Sequence, residues 1–350
     1  MQYVPVLSST GQRLMPAHAA RARELVRKGS AIRRFDRGLF YIELLDRETG
    51  EVQPIAVGVD PGSKKEAISV KSEAHTYLNL QVDAVTWVKE AEETSTHMRR
   101  GRRYRKTPYR QRRSNRNQGQ FRLPPSTRAR WGWKLRLCQW LCRYYPISAF
   151  VVEDIKAITR PDKGRWNRSF SPLQVGKHWF YGELGKLAHV ELLKGYETAE
   201  ERTRLGLKKS SAKLADRWDA HCVDSWALAN VWVGGDVVDN TDMLYIVPLR
   251  FHRRQLHRLQ PETGGIRKPY GSTLSLGFRR GSWVKHPKWG VCYVGGTTGR
   301  LISLHSLQDG KRLTKVKPDS VQLLNRASWR IRKGDTSHKW LRAWQPSQPG

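Results

Sequence analysis

The chain has 350 residues, enough for two or three domains with a substantial buried core. It carries 64 lysines and arginines against 31 aspartates and glutamates, a formal net charge of +33, which is too large for an ordinary cytosolic enzyme. This charge predicts a polyanionic partner, namely nucleic acid, with a membrane surface as the alternative. No apolar run approaches the roughly 18 residues that suggest a membrane-spanning helix, no secretory leader is visible, and the four cysteines lack zinc-site spacing, a pattern typical of a reducing compartment.

Residues 1–52 predict a small α+β module. The stretches "YVPVLSS" and "LFYIELL" are typical of strands. Between them, "PAHAARARELVRKGSA" predicts a helix with Pro16 near its start and Gly29 near its end.

The next segment predicts a buried strand that ends in an acid. "IAVGVD" is short, continuous and β-branched, and Asp60 closes it, followed by Pro61 and Gly62. "EAISV" and "YLNLQVDAV" predict two further strands, so that a meander opens a larger sheet. Asp-Pro-Gly is also a good turn, and taken alone Asp60 is more often a turn residue than a ligand.

An acid-free basic segment follows. Between Glu93 and Glu153 there are 16 lysines and arginines and no acid, and the run "RRGRRYRKTPYRQRRSNR" is the densest part. We interpret this run as a nucleic-acid contact, with a solvated face as the alternative, and Pro108 argues against one unbroken helix. The predicted contact residues are Arg99, Arg100, Arg102, Arg103, Arg105, Lys106, Arg110, Arg112, Arg113 and Arg116.

The middle of the chain predicts helices around a second buried strand. "STRARWGWKLRLCQWLCRYYP" predicts a helix with Ser126 as its N-cap and Pro146 at its end. "ISAFVVED" predicts the strand, and "PLQVGKHWFYGELGKLAHVELLKGY" predicts one long helix. After a basic link, "LADRWDAHCVDSWALANVWVG" predicts another. From about residue 236, short β runs with glycine-rich turns predict a small barrel or meander.

Three acids occupy positions suited to one site. Asp60 and Glu153 end the two buried strands, and Asp224 lies inside an apolar helix, with His221 three residues before it on the same face. If the strands are parallel neighbours, both strand-end acids emerge at one sheet edge. Such a cluster favours two Mg²⁺ ions, with Mn²⁺ also suitable, arranged for phosphodiester hydrolysis. His221 could then position or deprotonate the water.

Each of these residues has a structural alternative. Glu153 could pair with an arginine, Asp224 could pair with Lys213, Arg217 or another cation, and His221 could be an ordinary helix residue. Three nearby acids are rival ligands, namely Asp154, Asp216 and Asp219.

Several stretches resemble an RNA-guided nuclease family. "IAVGVDPGSKKEAISV", "FVVEDIKAI" and "HCVDSWALA" resemble the three split motifs of a RuvC-type nuclease domain, which has an RNase H-like fold. The arginine-rich run resembles a bridge helix. "GQRLMPAHAARARELVRKGSAIRRF" resembles the N-terminal PLMP domain of the IscB family, although Arg13 replaces the first proline of the Pro-Leu-Met-Pro motif. "GFRRGSWVKHPKWGVCYVGGTTGRLISLHSLQDGKRLTKVKP" resembles that family's C-terminal module for the target-adjacent motif.

The resemblance implies an α/β fold class. It comprises an RNase H-like RuvC core (a mixed sheet with flanking helices), an α+β PLMP domain, a bridge helix and a small β-barrel-like C-terminal domain. The implied segments are 1–52 (PLMP), 53–93 (first RuvC motif), 94–125 (bridge helix), 126–235 (second and third RuvC motifs) and 236–350 (target-adjacent motif). Two local departures are Glu66-Ala67, where a glycine-containing stretch is common, and Pro108 in the bridge run.

Only 70 residues separate Glu153 from Asp224, and they show no HNH-like pattern. This fits the IsrB branch of the family, which lacks the HNH nuclease. The resemblance implies an Mg²⁺-dependent nickase that cuts the non-target DNA strand. Its metal ligands would be Asp60, Glu153 and Asp224, and His221 would activate the water.

The implied partners are an omega RNA and double-stranded DNA, bound by a monomeric protein in a prokaryotic cytoplasm, at the nucleoid when on DNA. The adjacent motif would be read by exposed basic residues such as Arg279, Arg280 or Lys285. Two rival hypotheses are a guide-independent RNase H-like nuclease, such as a resolvase or transposase, and a non-catalytic RNA-binding scaffold.

Overall fold

The computed structural model describes residues 2–103, 123–155, 172–212, 214–250, 259–260, 265–266 and 274–332. The chain divides into two units. The first comprises residues 1–33 and 41–243, and the second comprises residues 34–40 and 244–350.

The N-terminal module is a four-stranded sheet with one helix. Its elements are β1 (Tyr3–Leu7), β2 (Arg13–His18), α1 (Ala19–Arg27), β3 (Ala31–Asp36) and β4 (Leu39–Leu44). The sheet order is β2-β1-β4-β3, with β1 antiparallel to β2 and parallel to β4. The predicted helix start at Pro16 is wrong, because Pro16 lies in β2. This edge strand tolerates the missing amide hydrogen of a proline.

The main sheet of the first unit is mixed. Its strands are β5 (Ala56–Asp60), β6 (Lys65–Lys71), β7 (Thr76–Asp83), β8 (Ala149–Glu153) and β9 (His189–Leu193), in the order β7-β6-β5-β8-β9. The first three strands form the predicted antiparallel meander, while β8 runs parallel to both β5 and β9. The mixed sheet expected for an RNase H-like core is therefore present.

Five further helices belong to the described part of the first unit. They are α2 (Trp87–Arg103), α3 (Pro125–Leu141), α4 (Pro172–Leu184), α5 (Gly195–Arg204) and α6 (Trp218–Val233). Side chains alternate between the two faces of a strand, and adjacent residues of β6 contact different helices. Ala67 packs against Cys222 of α6, whereas Glu66 pairs with Lys134 of α3. The sheet is thus covered on both faces.

Two of the predicted helices differ from the observed ones. The single helix expected from residue 172 to 196 is instead α4, then β9, then α5, because residues 189–193 pair in register with β8. Ser126 is not an N-cap, since α3 begins at Pro125 and Pro124 precedes it as the cap. Proline is well suited to the first helical position because the lost amide hydrogen has no partner there.

The described part of the second unit contains mainly short strands. They are β10 (Met243–Pro248), β11 (Leu259–Gln260), β12 (Gly265–Ile266), β13 (Leu274–Ser275), β14 (Phe278–Arg279), β15 (Ser282–His286), β16 (Gly290–Thr298), β17 (Leu301–Ser306), β18 (Arg312–Val316), β19 (Gln322–Arg326) and β20 (Trp329–Arg332), with a 3₁₀ turn at Pro318–Ser320.

Five of these strands form the sheet of the predicted C-terminal β module, in the linear order β18-β17-β16-β15-β19. Strands β15 to β18 are a meander, as predicted, around a small core. The core residues are Val284, Cys292, Val294, Ile302 and Leu304. Strand β10 pairs with β20 in antiparallel fashion. None of the helices within the described ranges is long and apolar enough to cross a bilayer.

Candidate active site

Asp60 and Glu153 meet at one edge of the main sheet. The parallel pairing of β5 with β8 matches Val59 to Val152, so the next residue of each strand emerges at the same edge and on the same face. Asp60 is buried, and the carboxyl group of Glu153 lies close enough to influence its protonation. Burial raises the pKa of Asp60 well above its ordinary 3.8, and the charges of Glu153 and Asp224 raise it further, while Lys209 opposes this shift.

Helix α6 brings Asp224 to this edge because Gly58 leaves room for it. A Cβ atom on Gly58 would lie 1.8 Å from the backbone oxygen of Ser225 and 2.8 Å from the amide nitrogen of Ala229. Gly58 and Asp60 share a face of β5, since side chains alternate along a strand. The backbone of α6 therefore rests directly on β5, and this close approach brings the charge of Asp224 near enough to Asp60 to raise the pKa of Asp60.

Among the described residues, two cations contact Asp224. Lys209 forms an ion pair with Oδ2, and the Nε atom of Arg202 lies 2.9 Å from Oδ1. Both Oδ1 and that Nε are buried without a hydrogen bond of good geometry, so the Arg202 contact is ionic and Oδ1 keeps lone pairs for another ligand. Asp224 therefore does pair with cations, as the structural alternative held. The two partners, Lys209 and Arg202, were not named in the sequence analysis. Of the two cations named as alternatives, Arg217 pairs with Asp219, and Lys213 lies outside the described residues.

The donor chemistry of these three acids fits a hard divalent cation, because all three offer carboxylate oxygens, including the buried Oδ1 of Asp224. Among the described residues, however, no three histidine, cysteine or acidic side chains are grouped so that they could hold one ion as they stand. Asp224 is turned toward Lys209 and Arg202 instead. The roles of Asp60, Glu153 and Asp224 as metal ligands therefore stay a prediction.

The rival acids have cationic partners of their own. The ammonium of Lys177 lies 2.6 Å from Asp154, which also accepts a 3.1 Å hydrogen bond from the hydroxyl of Tyr181. Asp216 lies 3.5 Å from Lys65, and Asp219 lies 2.9 Å from Arg217. Because Asp224 also pairs with cations, these pairings do not decide between the three predicted acids and the rivals.

His221 is half-buried on α6, one helical turn before Asp224. This position agrees with the predicted face of the helix, and its role in activating water stays a prediction.

A cleft adjoins Glu153. It has a volume of about 390 Å³ and is lined by Glu153, Asp154, Ile155, Lys194, Gly195 and Tyr196, and we call it the Glu153 cleft. A Cβ atom on Gly195 would lie 2.9 Å from Oε1 of Glu153, so α5 begins in contact with that carboxylate. This cleft was not predicted from the sequence, because its lining residues Lys194, Gly195 and Tyr196 were assigned to the end of one long helix.

The predicted nucleic-acid contacts are only partly within the described residues. Arg99 and Arg100 are exposed on α2, and Arg102 and Arg103 lie in its last turn. The remaining six, Arg105, Lys106, Arg110, Arg112, Arg113 and Arg116, lie outside the described residues.

In the second unit, the three residues named for reading the adjacent motif lie near one another in sequence. Arg279 and Lys285 are exposed and Arg280 is half-buried. Their role stays a prediction.

The N-terminal part of the chain matches a known protein family. Residues 4–165 match the family model described as RRXRR protein. The RRXRR match covers less than half of the chain, and it includes Asp60, the arginine-rich run and Glu153 but not Asp224. No curated protein matches the sequence.

Among solved structures, the chain is similar to T. thermophilus RuvC in complex with a Holliday junction substrate. The identity is 11%, the match covers 51% of this chain and 90% of that chain, and the TM-score is 0.29. A likeness at this level decides neither fold nor activity.

Proposed function

We propose that the chain is a divalent-metal-dependent endodeoxyribonuclease with a RuvC-type site, which is guided by RNA and nicks one DNA strand. The observation that carries the proposal is the convergence of Asp60 and Glu153, at the ends of neighbouring parallel strands, with Asp224 on the helix that rests against them. The RRXRR match supports it, because it spans two of the three nuclease-like motifs and the arginine-rich run between them.

The three acids would hold the metal, and the surrounding residues would organise the acids. Bound divalent ions supply an activated water and neutralise charge on the phosphate that is cut. Lys209 and Arg202 hold the Asp224 carboxylate in place and offset its charge. His221, one turn away on α6, would orient or deprotonate the attacking water.

Protonation of Asp60 sets the pH range of the proposed reaction. A carboxylic acid must lose its proton to bind a metal. The pKa of Asp60 is raised by burial and by its two acidic neighbours, so its ionised form becomes available at higher pH than for an ordinary aspartate. We therefore expect metal affinity and cleavage to rise with pH, over a higher range than an ordinary aspartate would give.

RNA guidance would explain why basic residues are so numerous and so spread along the chain. If base pairing between an omega RNA and the target supplies sequence specificity, the protein needs backbone contacts and a short adjacent motif. The excess of 64 basic over 31 acidic residues suits that task. We propose a monomeric protein in a ribonucleoprotein of the prokaryotic cytoplasm, associated with the nucleoid when bound to DNA. Arg279, Arg280 and Lys285 are the proposed readers of the motif.

The test is a nicking assay with the RNA that the protein itself selects. RNA that co-purifies with the full chain is sequenced, and a supercoiled plasmid carrying its complement beside randomised flanking sequence is incubated with the ribonucleoprotein and Mg²⁺. We expect nicked circles without linear product, cut only on the strand that does not pair with the RNA.

Asp60→Ala should abolish nicking and leave RNA binding intact, whereas Asp219→Ala serves as the matched control and should nick like the parent. Cleavage of the plasmid without RNA would favour the guide-independent nuclease. Bound RNA without any metal-dependent cleavage would favour the scaffold. Unchanged nicking by Asp60→Ala would contradict the assignment of the site.

A further inference from the structure

The Glu153 cleft has the size of a small-ligand site. Its volume of about 390 Å³ lies toward the lower end of the range of about 300–1,000 Å³ that is usual for such pockets. Its lining includes Glu153, where cleavage is proposed, and the start of α5, which touches that carboxylate at Gly195. A group bound in the cleft would therefore lie directly beside the reacting phosphate.

Tyr196 gives this cleft an aromatic surface open to solvent. Its side chain is 56% exposed, whereas every other phenylalanine, tryptophan or tyrosine in the described part of the first unit is buried or half-buried. Large aromatic side chains normally contribute to a core, and an exposed ring beside a nuclease site is a surface on which a nucleobase can stack. Stacking of this kind does not depend on the base sequence.

Lys194 adds a cation at the same place. Its ammonium lies 5.5 Å from the centroid of the Tyr196 ring, close enough for a cation–π contact. The backbone here is fixed, because the amide of Lys194 donates a 2.5 Å hydrogen bond to Glu197 at the start of α5. An aromatic ring and an ammonium held side by side provide one partner for a base and one for its phosphate.

We propose that the Glu153 cleft binds one unpaired nucleotide of the DNA strand that is cut, with its base stacked on Tyr196 and its phosphate beside Lys194. This proposal rests on the proposed nuclease function of the neighbouring acids. A paired base keeps its faces stacked within the duplex and cannot reach the ring without leaving it. The cleft would thus select a displaced single strand and set its position relative to Glu153.

Binding without cleavage tests the stacking directly. Affinity for a fluorescein-labelled oligodeoxythymidine is measured by anisotropy, in EDTA, over a series of salt concentrations. We expect Tyr196→Ala to weaken binding about tenfold at every salt concentration, and Tyr196→Phe to stay near the parent. Lys194→Gln should lower the slope of log affinity against log salt by about 0.7, the value for one phosphate neutralised on a single strand.

Leu192→Ala is the matched control, since this side chain is 43% exposed on β9 but does not line the cleft, and it should bind like the parent. A second readout is photo-cross-linking to an oligonucleotide containing 5-iododeoxyuridine, followed by peptide mapping. We expect the cross-link at Tyr196. Parent-like affinity of Tyr196→Ala, or cross-links that map only to other residues, would overturn the proposal.

Different results would contradict the nucleotide cleft and the nuclease function. If the parent protein nicks DNA and Tyr196→Ala binds and cuts equally well, the active site stands and the nucleotide cleft is wrong. If Tyr196 cross-links and Tyr196→Ala loses affinity while the parent cuts nothing, the cleft binds single strands and the nuclease function is wrong.

Discussion

Two buried acids on adjacent strands, Asp60 and Glu66, are compensated in different ways. Glu66 lies 2.6 Å from Lys134, with side-chain exposures of only 2% and 5%, so one carboxylate faces one ammonium. Burial raises the pKa of Glu66 and Lys134 opposes that rise. Asp60 instead faces Glu153 and Asp224. The positive charge of Lys209 opposes the resulting rise in the pKa of Asp60 only in part. The first arrangement is that of a structural ion pair, and the second is that expected of a cation-binding site.

Lys134→Met should destabilise the protein severely at neutral pH. It leaves the Glu66 carboxylate buried without its partner, which typically costs about 3–5 kcal/mol. The raised pKa of Glu66 fixes the sign of the pH dependence. As the pH falls, Glu66 takes up a proton in the folded state before it does so in the unfolded state, so the penalty shrinks. Urea unfolding near pH 7 and at about pH 5 measures the difference.

Lys186→Met is the control for that experiment. Lys186 pairs with Glu183 at 2.7 Å but is 69% exposed, so its replacement should cost no more than about 1 kcal/mol. An equal penalty for Lys134→Met at both pH values would show that Lys134 stabilises the fold through packing and not through its charge.

At the scale of elements, the contact between α6 and β5 places the third acid. Gly58 has no side chain, and this lets backbone atoms of Ser225 and Ala229 approach the strand. Because both partners are backbone, neither can move aside as a flexible side chain would. The geometry of the candidate site therefore depends on Gly58, a residue that has no functional side chain.

Gly58→Ala should separate α6 from β5 and displace Asp224. We expect loss of several kcal/mol of unfolding free energy and loss of nicking. Gly182→Ala in α4 is the matched control, because a Cβ atom there meets nothing within 4 Å, and alanine should stabilise the helix by roughly 0.5–1 kcal/mol. Thermal unfolding of both variants checks the prediction, and a parent-like melting temperature for Gly58→Ala would contradict it.

The strands and the helix that carry the three acids could be predicted from sequence. The cations that pair with Asp224 could not. Continuous β-branched runs identified the strands ending in Asp60 and Glu153, and the apolar helix around Asp224 was equally plain. Strand β9 was missed because its five residues are too few to show a strand periodicity of their own, and it is the pairing with β8 that makes the segment a strand. Lys209 and Arg202 were missed because their contact with Asp224 is formed by tertiary structure.

At the scale of the whole molecule, a charge of +33 implies binding that depends strongly on salt. If the protein neutralises about six to ten phosphates, its affinity for duplex DNA should fall about 10³- to 10⁵-fold between about 50 and 200 mM salt. Exposed arginines on α2 should contribute to this slope. Anisotropy titrations across that range measure it.

Arg99→Gln combined with Arg100→Gln should lower the salt slope by about two, because each arginine would neutralise one phosphate. Arg204→Gln is the control, since the guanidinium of Arg204 already pairs with Glu201 and Asp236. A parent-like slope for the double variant would remove α2 from the nucleic-acid surface.

The central claim is that Asp60, Glu153 and Asp224 together hold divalent metal, and calorimetric titration with Mn²⁺ tests it most directly. Near neutral pH, we expect the parent to bind Mn²⁺ and the Asp60→Asn, Glu153→Gln and Asp224→Asn variants each to lose Mn²⁺ binding. Asp219→Asn is the control and should bind Mn²⁺ like the parent.

Asp60→Asn should remain folded and at least as stable as the parent without metal, because the raised pKa of Asp60 shows that its ionised form is disfavoured in the folded state. Parent binding should also weaken as the pH falls. Mn²⁺ binding by Asp60→Asn equal to that of the parent would contradict the account.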